Sequence, residues 1–120
     1  MTTSMTAKDL DARFLQDALQ DEAEVRQLYA CRPGRFAVQA EQYGALQTAI
    51  RFIGDGKSNP EGFIRLLEIA HTKGTRRPLE LSLEARYLAY AEQYAADYPE
   101  LFPDATIKVA KDRLKALDVL

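Results

Sequence analysis

The chain has 120 residues, with 16 basic and 18 acidic side chains, a net charge of −2 and one cysteine. This length predicts a single domain with a core large enough to be stable without disulfides or structural metal ions. A single cysteine excludes an intrachain disulfide. The weak net charge excludes a mimic of DNA and argues neither for nor against a polyanionic partner. We expect residues 1–6 to form a disordered tail and residues 7–120 to form the domain.

The start of the chain lacks the basic and then apolar run of a signal peptide. Its apolar stretches fall far short of the roughly 20 residues that cross a bilayer. The sequence therefore predicts a cytoplasmic protein that binds no membrane.

The first helix should begin near Ala7, because Thr6 can cap it and Asp9 can complete a capping box. Apolar residues recur at helical spacing from there. The segment 21–24 could continue this helix or restart it as a second one. We favour one interrupted helix that ends near Cys31, because the segment 32–34 contains proline and glycine.

A second helix is predicted over 35–53, with Gly44 in its interior, where close backbone packing is plausible. After a loop over 54–59, Asn59 as cap and Pro60 as first helical residue predict a helix over 60–73. Gly74 should supply its left-handed end.

Residues 79–83 alternate between leucine and polar side chains, which is briefly strand-like. Ser82 as N-cap favours the alternative, a helix over 83–97 that ends before Pro99.

The segment 99–103 should be a turn that packs its two large apolar side chains inward. Asp104 should cap a last helix over 105–117. Five helices joined by short connections predict an all-α protein, a compact five-helix orthogonal or bundle-like single domain.

The most distinctive feature is a line of tyrosines at spacings of three, four and four: Tyr87, Tyr90, Tyr94 and Tyr98. They fall on one side of the predicted helix, with Leu83 in the same sector. They are either core residues or a recognition surface, because tyrosine combines a large rigid ring with a polar tip. In the second case Leu83, Tyr87, Tyr90 and Tyr94 bind a partner.

Acidic side chains surround this line, and Arg86 is the one opposing charge among them (Glu84, Glu92, Asp97, Glu100). Surfaces that stack on nucleobases are normally interleaved with basic residues. The tyrosine line therefore fits a protein partner with a basic patch, or a second copy of the chain, better than a nucleic acid.

Basic residues cluster in the region 54–77, which could form a helix-turn-helix (Lys57, Arg65, Lys73, Arg76, Arg77). Against a DNA-binding regulator, the joining loop is longer than usual and the exposed side of helix 60–73 carries both charge signs. DNA binding stays the first alternative.

Two segments resemble catalytic motifs, and each of these motifs is incomplete. The segment 54–58 resembles the end of a phosphate-binding loop, but Arg51 occupies the position of the first glycine and a helix precedes the loop. Glu68 and His71 match the Glu-x-x-His spacing of di-iron bundles, which would require a homodimer and a further donor such as Glu41. A metal-dependent enzyme is the second alternative.

The sequence thus favours a non-catalytic module that binds another protein or itself, such as an adaptor, a small regulator or an inhibitor. No pattern in the chain predicts a cofactor.

Overall fold

The computed structural model describes residues 5–30, 36–54 and 61–115, and every regular element in these ranges is a helix. The helices are α1 (Ala7–Tyr29), α2 (Phe36–Tyr43), α3 (Ala45–Ile53), α4 (Glu61–Lys73), α5 (Arg77–Glu80), α6 (Leu83–Tyr94) and α7 (Asp104–Leu114), with a 3-10 turn over Pro99–Leu101. The predicted all-α class is confirmed. The helices number seven in the described ranges instead of five, because one predicted helix is split and the connector before α6 contains a short one.

Helix α1 begins with the predicted capping box. The Thr6 hydroxyl accepts a hydrogen bond from the Asp9 backbone N–H, and the Asp9 carboxylate accepts one from the Thr6 backbone N–H. The helix runs without a break through the segment 21–24, so the predicted interruption is wrong. It ends at Tyr29, and Ala30 adopts a left-handed conformation. The stop predicted at residues 32–34 lies outside the described residues.

The tail predicted over residues 1–6 is described from Met5 onward. Met5 packs against the main core and Thr6 caps α1, so these two residues belong to the folded domain. Residues 1–4 lie outside the described part of the chain.

The helix predicted over 35–53 is broken at Gly44, so the prediction of one continuous helix is wrong. Gly44 has a φ of +90°, which glycine adopts at no steric cost. The new N-terminus of α3 is capped from α1: the Asp11 carboxylate accepts hydrogen bonds of 2.8 Å from the Ala45 N–H and 2.7 Å from the Leu46 N–H. A carboxylate distant in sequence therefore replaces the local cap that glycine cannot supply.

The connector between α4 and α6 is helical. Gly74 has the predicted left-handed φ of +64°, and Pro78 lies in the first turn of α5. The strand considered over 79–83 is therefore wrong. The cap predicted for Asn59 and Pro60 lies outside the described residues.

Helix α6 starts as predicted, because the Ser82 hydroxyl accepts a hydrogen bond from the Ala85 N–H at 3.1 Å. The helix ends at Tyr94, three residues before the predicted end, and residues 95–97 form turns before Pro99.

Helix α7 begins at Asp104, but Asp104 is its first residue and Pro103 occupies the N-cap position without a side-chain cap. The prediction that Asp104 caps this helix is therefore wrong. Its carboxylate still interacts favourably with the positive N-terminal end of the helix dipole. The inward packing predicted for the preceding turn is confirmed for Phe102, which is buried.

The main core lies between α1, α2, α3 and α6, with α7 closing one side. Phe14 of α1 is at its centre and makes edge-to-face contacts with Phe36, Tyr87 and Tyr90. Helix α4 covers smaller clusters that include Val25 and Leu79. Within the described ranges, no helix combines the length with the apolar character needed to span a bilayer.

Candidate functional site

Tyr87 belongs to the core of the domain. Its side chain is 0% exposed, and its ring packs edge-to-face on Phe14 and tilted on Phe102. Its hydroxyl donates a hydrogen bond of 2.9 Å to the backbone carbonyl of Leu101. Burial raises the pKa of Tyr87 well above its usual value, so the phenol stays protonated and keeps this hydrogen bond.

Tyr90 joins α6 to α1. It is 7% exposed, its ring lies against Phe14, and its hydroxyl donates a hydrogen bond of 2.5 Å to the Asp17 carboxylate. Burial, with a smaller contribution from Asp17, raises the pKa of Tyr90. Leu83, at the start of the helix, is half-buried against the same core. The four predicted partner-binding residues therefore do not form one exposed face: two of them are buried, and Leu83 and Tyr94 are half-buried.

A polar network that sequence reasoning missed lies beside Tyr90. Arg86 donates hydrogen bonds of 2.8 and 2.9 Å to both oxygens of the buried Asp21 carboxylate, and its guanidinium lies 3.9 Å from Asp17. The hydrogen bond to Asp21 raises the pKa of Arg86. Asp17 and Asp21 are one helical turn apart on α1 and therefore lie on the same face. This spacing in the sequence could have indicated that both carboxylates contact one basic residue. The guanidinium of Arg86, placed between these two carboxylates, holds α6 on α1.

Glu84 does not contribute to the acidic surface expected around the tyrosines, because it is buried in a second ion pair. Its carboxylate accepts a hydrogen bond of 2.8 Å from Arg113 of α7, and both side chains are almost fully buried. Glu92, Asp97 and Glu100 of the same acidic set are exposed. The acidic surface is therefore concentrated toward the C-terminal end of α6.

A surface cleft lies at that end, and we call it the tyrosine cleft. It has a volume of about 430 Å³ and is lined by Met5, Tyr94, Asp97 and Tyr98. The Tyr94 hydroxyl accepts a hydrogen bond of 3.3 Å from Arg13, and the Tyr98 hydroxyl donates to the backbone carbonyl of Met5. The cleft thus presents two half-buried aromatic rings, a thioether and a carboxylate. Met5 was missed in the sequence because it was assigned to the tail.

The basic residues of the DNA-binding alternative do not all present a positive charge. Arg77 donates hydrogen bonds of 2.9 and 2.5 Å to Glu24 and lies 3.9 Å from Glu80. The hydrogen bond to Glu24 raises the pKa of Arg77. Arg65, Lys73 and Arg76 are exposed, and Lys57 lies outside the described residues. DNA binding stays a prediction, with Arg77 neutralised by an acidic neighbour.

Glu68, His71 and Glu41 of the metal alternative are all exposed. Within the described residues, no group of three or more His, Cys, Asp or Glu side chains is arranged to hold a metal ion. The segment that resembles a phosphate-binding loop lies, after Gly54, outside the described residues.

Comparison of the chain with protein-family models, with curated proteins and with solved structures gives no match. The functional argument therefore rests on the geometry of the tyrosine cleft.

Proposed function

We propose that the protein is a non-catalytic interaction module, an adaptor, small regulator or inhibitor, that binds another protein or a second copy of itself through the tyrosine cleft. The observation that carries this proposal is the difference in burial among the tyrosines of α6. Tyr87 and Tyr90 are buried in the core, whereas Tyr94 is half-buried and forms the wall of an open cleft beside Tyr98.

The chemistry of the cleft favours recognition. Half-exposed tyrosine rings offer a large rigid contact area at a low cost in conformational entropy, which is why tyrosine is enriched among interface hot spots. The volume of about 430 Å³ lies within the range of about 300–1,000 Å³ common for binding pockets. The cytoplasm is the compartment we propose, because the single cysteine gives no sign of an oxidising one.

The test compares two tyrosine variants. Tyr94→Ala truncates the wall of the cleft, and Tyr43→Ala truncates a tyrosine of α2 that is 45% exposed and does not line the cleft. Each variant and the wild type are used as bait for affinity capture from the native cell, and their masses are measured by light scattering. Circular dichroism checks that both variants stay helical.

The proposal expects a captured protein, or a homodimer, that persists in Tyr43→Ala and is lost in Tyr94→Ala. If the captured proteins and the mass are the same for wild type and Tyr94→Ala, the tyrosine cleft is not the binding surface and the proposal fails.

A further inference from the structure

Both tyrosine hydroxyls of the tyrosine cleft already have hydrogen-bond partners within the chain. The hydroxyl of Tyr94 accepts from Arg13, and the hydroxyl of Tyr98 donates to the backbone of Met5. A ligand therefore meets chiefly the rings and the Met5 side chain, with the Asp97 carboxylate as the charged group among the lining residues. This combination suits an occupant with an apolar stem and a charged end.

The sign of that charge follows from the surroundings. The cleft lies at the C-terminal end of α6, where a helix carries partial negative charge, and the exposed carboxylates of Asp97 and Glu100 add to it. Two positive features adjoin the lining residues, and each already has a partner. The N-terminus of α1, next to Met5, has the Asp9 carboxylate in its first turn, which accepts a hydrogen bond from the Thr6 N–H. The guanidinium of Arg13 donates a hydrogen bond to the hydroxyl of Tyr94. The position next to Asp97 therefore favours a cation over an anion.

Lysine and arginine side chains have this chemistry. Their methylene stems pack on apolar surface while the charged end stays in water, and a cation over a tyrosine ring gains attraction from the ring quadrupole. We propose that the tyrosine cleft binds a lysine or arginine side chain of the partner protein, with its stem against Met5 and the rings and its charge beside Asp97. This inference rests on the proposed function and specifies the partner.

The experiment uses the whole chain and four capped glycine peptides whose central residue is lysine, arginine, norleucine or glutamate. Norleucine keeps the apolar stem of lysine and lacks its charge. Binding is followed by NMR through the Met5 methyl and the ring resonances of Tyr94 and Tyr98, because shift titrations detect weak association. The lysine and arginine peptides should shift these resonances saturably. The norleucine peptide should bind about three- to thirty-fold more weakly, from the cation–π and exposed ion-pair ranges.

Two variants locate the charge. Asp97→Asn should weaken the lysine peptide about two- to five-fold, while Glu68→Gln, which neutralises an exposed carboxylate on α4, should leave its affinity unchanged. Equal binding of lysine and norleucine, tighter binding of glutamate, or the absence of shifts at the cleft with every peptide would each overturn the inference.

The two proposals fail in different ways. If the lysine peptide binds no better than norleucine while Tyr94→Ala still abolishes capture of a partner, the cation inference is wrong and the interaction module stands. If the lysine peptide binds at the cleft but no complex depends on Tyr94, the cation site stands and the proposed function is wrong.

Discussion

The carboxylate of Asp11 caps a helix that begins 34 residues later in the chain, and we predict that Asp11→Ala strongly destabilises the domain. Both of its oxygens accept hydrogen bonds, from the backbone N–H groups of Ala45 and Leu46, and both of these residues are fully buried. Gly44 has no side chain that could replace the cap, and its φ of +90° is strained for other residues. The variant therefore leaves two amide groups without their acceptor in a place of limited access to water.

The magnitude follows from these two bonds. Loss of an N-cap costs about 0.5–2 kcal/mol, and a buried donor left unsatisfied costs about 1–3 kcal/mol. Since one carboxylate serves both donors, the terms overlap, and we expect Asp11→Ala to lower the free energy of unfolding by about 2–4 kcal/mol. Asp11→Asn keeps one acceptor oxygen and should lose about half as much.

The assay is urea unfolding followed by circular dichroism, in which the midpoint should fall while the slope stays unchanged. Glu92→Ala, which removes an exposed carboxylate from α6, is the control and should change stability by less than about 0.5 kcal/mol. Amide hydrogen exchange at Ala45 and Leu46 should speed up in Asp11→Ala. A loss no larger than that of the control, with unchanged exchange at these two amides, would refute the capping role.

Three further predictions concern polar groups that are buried or partly buried. Tyr87→Phe removes the hydrogen bond to the Leu101 carbonyl and should lower the free energy of unfolding by about 1 kcal/mol in the same urea assay, with an unchanged value counting against that bond. Arg113→Met leaves the buried Glu84 carboxylate without its cation and should cost about 3–5 kcal/mol at neutral pH; a smaller loss than in Tyr87→Phe would contradict the buried pair. Burial raises the pKa of Glu22 from 4.5 to about 6, so the folded state binds this proton more tightly than the unfolded state. Stability should therefore fall as the pH rises from 4.5 through 6, and thermal melts of Glu22→Gln should lack that part of the decline.

Local signals in the sequence were sufficient for much of the fold. Thr6 with Asp9, Ser82 and Gly74 define helix ends through contacts with residues a few positions away, and the structure has these ends where the sequence predicts them. Helical spacing of apolar residues was likewise sufficient for the all-α class. These features are decided by backbone groups within one turn of the side chain that satisfies them.

The break at Gly44 needed the tertiary structure, because the cap comes from Asp11 on another helix. No rule of local spacing could bring that carboxylate to the start of α3, and without it a continuous helix was the simpler prediction. Residues 79–83 were ambiguous for a related reason, since alternation over so few positions does not distinguish a strand from one turn of helix.

The tyrosine line illustrates the same division for the site. The sequence placed the tyrosines on one side of a helix, but a core and an interface produce the same spacing. Phe14 and Asp17 of α1 decided which of them are buried, by packing on Tyr87 and Tyr90 and by bonding to the Tyr90 hydroxyl.

The sequence by itself therefore determined the all-α class, the helix ends that are capped locally and the line of tyrosines along α6. The tertiary structure decided that Tyr94 and Tyr98 form a cleft with Met5, a residue 89 positions away from Tyr94 along the chain. The physical reason is that capping and periodicity act within one or two helical turns, whereas burial and ion pairing depend on which helices the chain brings together.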